Sequence, residues 1–382
     1  MTEHLHRFAD LYQKQGPWCA AYVDAGAGGV EGSEAAEVRP GDVRTALAKQ
    51  GAPPRDLEAM ETAVDPARGL PAPISRFVLV RQGSVELNEL LPGPLAGPAY
   101  VSVDPVPDLL PLLRHRPEEF PYLVVEATRE DAEIRLEYVG RPGPSAVEDI
   151  SGSTEDISKL PGGDGWGQNK QQRRAEETWR RNADEVAGQI DRIVDSSGAR
   201  LIVLAGDVRA RGLVRDQLAE AHKPLVSMVD SEPRPEDPHH RIFENEVQER
   251  IALQWAAEQD QIMDRLALQE GQANPESATG VGAVVQALQQ AQVDTLILND
   301  SALADRRLLA LGTEPWVATA EELTLGAEIL GQVPAPSALL RAAALTDASL
   351  LLVPDGVLQA GAGVSALLRW PVGPEAPGAN SV

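Results

Sequence analysis

One pattern constrains this chain more than any other: a long amphipathic helix feeding a strand that is apolar without interruption. Trp179, Ala183, Val186, Ala187, Ile190, Ile193 and Val194 recur at spacings of three and four, which lines them along one helical face. Ser196-Ser197-Gly198 ends that helix. Leu201 to Ala205, LIVLA, follows at once. A strand with no polar alternation is buried on both faces, so its sheet needs cover on each side. The pattern returns nearer the C-terminus. Val281, Val284, Val285 and Leu288 mark a helix, and Val293 to Asn299, VDTLILN, the strand after it. The fold class is therefore α/β, with mixed sheets and packed helices.

The first of these helices has an unusual entrance. Pro161 precedes Gly162, Gly163, Gly165 and Gly167, a loop with little steric restriction. Trp166 within it offers a stacking surface, and Gln168 offers a donor and an acceptor. Lys170, Arg173, Arg174, Arg180 and Arg181 follow, with Glu176 and Glu177 the acidic residues among them. Arg173 and Arg180, like Arg174 and Arg181, sit two turns apart and off the apolar stripe. The chain as a whole carries a net charge of −24, so this stretch is an island of positive charge. Flexible tip, flat aromatic, amide and cationic shaft suit contact with RNA phosphate and unpaired bases. The plainer reading is a glycine loop opening a helix whose arginines are merely solvated. A P-loop is excluded, since no Gly-Lys-Ser/Thr follows the glycines. The global acidity argues against broad, nonspecific nucleic-acid binding, DNA included.

Proline and glycine divide the rest. Residues 1–115 read as an N-terminal α/β domain. It holds the buried strand Trp18 to Asp24, helices near 40–50 and 55–65, and a hairpin turning at Gln82-Gly83-Ser84. A bridge over 107–121 carries Pro107, Pro111, Pro117 and Pro121. A middle domain over 117–238 holds strands YLVVEA and EIRLEYV, an irregular stretch at 141–160, the glycine loop 161–168, the basic helix and LIVLA. A C-terminal domain over 239–370 opens with a long helix striped by Phe243, Val247, Ile251, Trp255, Ile262 and Leu266. Residues 371–382 read as a mobile tail.

Several chemistries lack support. With Cys19 the one cysteine, no intramolecular disulfide can form, and its apolar strand marks it as a small core residue. His239-His240 beside Asp237 lie in a proline-rich stretch and read as polar loop, so no metal is expected. No Gly-x-Ser-x-Gly elbow supports a hydrolase triad. No cofactor motif, signal peptide or membrane-length apolar run is present, so the expected place is the cytoplasm, away from membranes.

The order of these elements carries a resemblance. Strands YLVVEA and EIRLEYV, a Gly-rich loop ending in Gln, the helix QQRRAEETWRRNADEVAGQI, the strand LIVLAGD and later ATGVGAVVQALQQAQVDTLIL look like the middle and C-terminal domains of the archaeo-eukaryotic release factor and Pelota superfamily. More closely they resemble its bacterial branch, the Balon-type ribosome hibernation factors of actinobacteria, whose ending DGVLQAGAGVSALLRW also resembles. The resemblance covers about 117–370. It implies a three-domain architecture that occupies the vacant A site of the 70S ribosome under stress, against 16S and 23S rRNA. The N-terminal domain would face the decoding centre, and loop 161–168 the peptidyl-transferase centre. The C-terminal domain would face the stalk base and elongation factor Tu, and the free protein would be a monomer. The contact set is Gly162, Gly163, Trp166, Gly167, Gln168, Lys170, Arg173, Arg174, Arg180 and Arg181. Termination members place Gly-Gly-Gln in this loop; here Asp164 follows Gly162-Gly163, and the nearest glutamine is Gln168. A binding role without catalysis follows. The alternative is a rescue or release enzyme acting on peptidyl-tRNA through Gln168.

Overall fold

The structure is a computed structural model that describes residues 3–26, 30–67, 73–115, 120–128, 130–139, 143–151, 165–230, 240–269, 272, 274–359 and 361–371. It separates into two compact units, 1–118 together with 259–382, and 119–258.

The chain enters with Glu3–His4 (β1) and Ala9–Gln13 (α1), then the strand Trp18–Asp24 (β2). Helices Val30–Lys49 (α2) and Pro54–Ala63 (α3) follow, then Ile74–Arg81 (β3), Ser84–Pro92 (β4) and Tyr100–Asp104 (β5). They form an antiparallel sheet in the order β4-β3-β2-β5. In β2 only Asp24 escapes burial, as a continuous apolar run demands. Cys19, Ala21, Val78 and Val80 pack under α2 and α3 on one face, while Ala20, Tyr22, Phe77 and Leu79 fill the other. The β3–β4 turn places Gln82 at φ 54° and Gly83 at φ 81°. Two left-handed residues make the turn that matches the strand twist. The proline bridge contains a helix, Leu110–His115 (α4), with Leu112 and Leu113 buried. Pro111 is tolerated because it sits in the first turn, where an amide has no helical partner.

The second unit begins with Pro121–Ala127 (β6) and Asp131–Tyr138 (β7). The stretch expected to be irregular contains an edge strand, Ala146–Ser151 (β8). The helix Gly165–Ser197 (α5) is about 50 Å long. Ile202–Gly206 (β9), Val208–Gln217 (α6) and Val226–Met228 (β10) complete a sheet ordered β10-β9-β6-β7-β8. Strand β9 runs parallel to both β6 and β10. Leu123, Val125, Ile202 and Leu204 pack against Ala183, Val186, Ala187 and Ile190 of α5. Tyr122, Val124, Leu201 and Val203 pack against Phe243, Val247 and Ile251, which open the helix His240–Gln269 (α7). Both faces of LIVLA are covered, as its composition requires.

The remaining chain gives Ser277–Thr279 (β11), Val281–Gln289 (α8), Val293–Leu298 (β12), Arg307–Leu311 (β13), Val317–Ala318 (β14), Ile329–Pro334 (β15), Ala335–Leu345 (α9), Ser349–Leu352 (β16) and Val364–Leu368 (β17). One sheet runs β1-β16-β12-β17-β11, so the N-terminal strand closes a C-terminal sheet. A three-stranded sheet, β14-β13-β15, stands beside it in sequence and carries no sequence signal of its own. A shared apolar core joins Tyr12, Tyr22 and Leu113 to Leu296, Leu339 and Leu340. Among the described residues no helix is long and apolar enough to cross a membrane.

Candidate nucleic-acid interface

Strands β6 and β9 approach closely at their carboxyl ends. Gly206 stands at φ 95°, and a Cβ there would lie 2.3 Å from the Ala127 carbonyl oxygen. Only glycine allows this contact, and the Asp207 amide then donates to the same carbonyl at 2.9 Å. Asp207 caps α6, its Oδ1 accepting from the amides of Arg209 at 2.9 Å and Ala210 at 3.1 Å. On the neighbouring strand Thr128 Oγ1 accepts the Asp131 amide at 2.9 Å and shapes the β6–β7 turn. A crevice outside the carboxyl ends of parallel strands is where open α/β sheets receive ligands.

Such a crevice is present. A narrow cleft of about 20 Å³ is walled by Thr128, Trp179, Asn182, Arg209, Leu213 and Val214. A second, open groove of about 310 Å³ adjoins it through Trp179, Arg209 and Leu213, and adds Arg180, Val208 and Asp216. Trp179 is half-buried and borders both. Val208 is 74% exposed at the start of α6, an apolar side chain left in solvent at the cleft mouth. Arg180 and Arg209 supply positive charge, with Glu176 and Asp216 opposing it. Arg211 is excluded from any ligand role. It is 4% exposed and donates to the Val229 carbonyl and to Asp230 Oδ1, the latter at 2.8 Å.

Of the residues read from the sequence as RNA contacts, Arg180 and Arg181 have described side chains, both exposed. They diverge by about 100° around the helix, so Arg180 reaches the cleft while Arg181 faces away. Gly162 and Gly163 lie outside the described residues. Helix α5 starts at Gly165, so Trp166, Gly167 and Gln168 fall in its first turn and not in a loop. Glycines lower helix propensity without forbidding it. The side chains of Trp166, Gln168, Lys170, Arg173 and Arg174 lie outside the described residues. His240, read as loop, begins α7, and His239 lies outside the described residues.

Arg209 and Val208 were not singled out from the sequence. Their signal was Gly206-Asp207 at the end of a buried strand, which a simple turn also explains. Trp179 read as part of the apolar stripe, and the cleft gives it a second role. Elsewhere chemistry is sparse. Burial, with Asp56 nearby, pushes the Cys19 thiol up to about 12, so it stays un-ionised and inert. Among the described residues no three His, Cys, Asp or Glu side chains converge to hold a metal.

The comparisons with known proteins bear on the same region. Residues 121–272 match the family described as bacterial archaeo-eukaryotic release factor family 2. Two Mycobacterium tuberculosis proteins, Uncharacterized protein MT2704 and Uncharacterized protein Rv2629, are each 25% identical over 365 residues, covering 94% of this chain and 95% of theirs. Among solved structures, a chain from the model of ribosome-bound archaeal Pelota and ABCE1 is 13% identical with a TM-score of 0.41, covering 97% of this chain and 95% of that one. Dom34 of S. cerevisiae is 10% identical with a TM-score of 0.39, covering 78% of this chain and 81% of its own. β6, the basic helix α5, β9 and the opening of α7 all lie inside the segment that is similar to bacterial archaeo-eukaryotic release factor family 2.

Proposed function

We propose that this chain is a ribosome hibernation factor that occupies the vacant A site of the 70S ribosome during stress. The observation that carries the reading is the middle unit itself. It sets Trp179 and Arg180 of α5 and Arg209 of α6 along one groove, within the segment that matches a release-factor family, in a chain whose net charge is −24. A protein so acidic meets RNA through a local patch or not at all. In this reading residues 117–238 approach the peptidyl-transferase centre and 23S rRNA. Residues 1–115 approach the decoding centre and 16S rRNA. Residues 239–370 approach the stalk base and elongation factor Tu, and the free protein is a cytoplasmic monomer. Asp164 stands where termination factors carry glutamine, which favours occupancy over hydrolysis of peptidyl-tRNA.

Co-sedimentation tests this directly. Purified protein is expected to pellet with vacant 70S ribosomes and to be displaced when the A site is filled with tRNA. Equal binding to filled and vacant ribosomes would contradict an A-site role, and failure to pellet with either would remove the ribosome altogether.

A further inference from the structure

The loop that joins β14 to β15, residues 319–328, is tightly folded and displays a leucine at its apex. The Leu323 amide donates to the Ala320 carbonyl at 3.1 Å, and the Thr324 hydroxyl to the Glu321 carbonyl at 2.9 Å. From α8, Gln289 Nε2 donates to the Val317 carbonyl at 2.8 Å and to the Leu323 carbonyl at 3.3 Å. The Ala327 amide donates to the Thr324 carbonyl at 3.0 Å, which closes a turn around Leu325 and Gly326. Both central residues are left-handed, at φ 53° and 85°. A turn of this kind prefers Asn-Gly. Glycine fits the second position, but leucine at the first loses backbone energy. Burial does not offset that loss: Leu325 is 82% exposed, the most exposed large apolar side chain among the described residues. Leu323 is 49% exposed and Ile329 40%, both close to it in sequence. A lone leucine in solvent is ordinary. One held there at a left-handed turn, with two more apolar side chains nearby in the chain, has the form of an anchor for a surface outside the protein.

Charge selects the partner. Glu314, Glu321, Glu322 and Glu328 are exposed, and they are the only charged residues from 308 to 340. An apolar knob among carboxylates is repelled by the phosphates of RNA. It complements an apolar pocket edged with lysine and arginine. Proteins that pack against RNA carry such cations, because they neutralise its phosphates.

We propose, on the ribosome reading above, that the 321–329 loop docks on a basic ribosomal protein and not on ribosomal RNA, with Leu325 as its anchor.

Photocrosslinking and binding measurements on the full chain test this. Cys19 is buried, so Leu325→Cys gives the chain one reactive thiol, to which a benzophenone maleimide attaches. Irradiated on vacant 70S ribosomes, the attached benzophenone is expected to crosslink to a ribosomal protein. Leu325→Asn is the second arm. Asparagine suits a left-handed turn, so this variant should melt at or above the wild-type temperature while its affinity for 70S ribosomes falls about tenfold. If the Asn variant melts lower, the crosslink decides. A crosslink to ribosomal RNA, no crosslink from a chain that pellets with ribosomes, or a stable Asn variant that binds as wild type does would each overturn the docking claim and leave the ribosome reading standing. A wild-type chain that does not pellet with ribosomes would remove both.

Discussion

The guanidinium of Arg341 donates from Nε to the carbonyl of Tyr12 at 3.3 Å, joining residues 329 positions apart. Its Nη1 also donates to the Leu311 carbonyl at 2.8 Å and the Trp316 carbonyl at 3.2 Å. Arg341 is 2% exposed, and that burial draws its pKa down to about 10, which leaves it charged at neutral pH. One buried cation thus ties α1 to β13 and to the segment after it. Arg341→Met should lower stability by on the order of 3 kcal/mol, because buried carbonyls lose their donors and methionine replaces none. Urea unfolding measures this, and a loss below about 1 kcal/mol would mean that water replaces the guanidinium.

Gly206 should be as intolerant. Gly206→Ala would force a Cβ against the Ala127 carbonyl at a left-handed φ, separating β6 from β9. The expected cost is about 3 kcal/mol or more. Asp207→Ala next door removes only a cap and should cost about 1 kcal/mol. Thermal melts of the two variants should rank in that order, and the reverse order would contradict the strand contact.

Asp108 predicts a pH dependence. Its acid is raised in the folded state above the ordinary 3.8, so the folded protein binds more protons there than the unfolded chain. Stability is therefore unaffected by this group below the ordinary value and declines as pH climbs through the raised one. Asp108→Asn removes the burden. It should match wild type near pH 4 and exceed it at pH 7 in melting temperature. A variant less stable at both pH values would show that the carboxylate is held in favourable ionised form.

Much of this was legible from residue pattern. WCAAYVD and LIVLA are buried strands because continuous apolar runs cannot face water, and the Trp179-to-Val194 stripe became the buried face of α5. Other parts left no local trace. Strand β8, AVEDIS, lies at a sheet edge with no residue fully buried, so no alternation marks it. Strand β14 is Val317–Ala318 alone, held by pairing with β13. The Pro-rich bridge concealed α4, because proline is harmless in a first turn. The role of Arg341 left no local sign either, since its carbonyl partners Tyr12, Leu311 and Trp316 come from distant segments. At the candidate interface Arg180 was readable as a cation off the stripe. Arg209 was not, because only the meeting of β6, β9 and α5 brings it to Trp179.

The interface makes its own prediction. Arg209 and Arg180 are exposed and lie off the core, so Arg180→Glu with Arg209→Glu should fold normally. Arg173→Glu with Arg174→Glu should fold normally too, since the sequence sets both off the apolar stripe of the helix. Each double variant should bind 70S ribosomes on the order of tenfold more weakly at low salt, with a shallower salt dependence than wild type. Filter binding across a salt series measures both quantities. Unchanged affinity in both doubles would make these arginines a solvated helix face.

A map of ribosomes purified with the protein from nutrient-depleted cells, determined by electron cryomicroscopy, tests the central claim most directly. The account predicts density filling the vacant A site, with residues 160–181 at the peptidyl-transferase centre and 1–115 at the decoding centre. An empty A site in ribosomes that carry the protein elsewhere, or no protein on ribosomes under depletion, would contradict it.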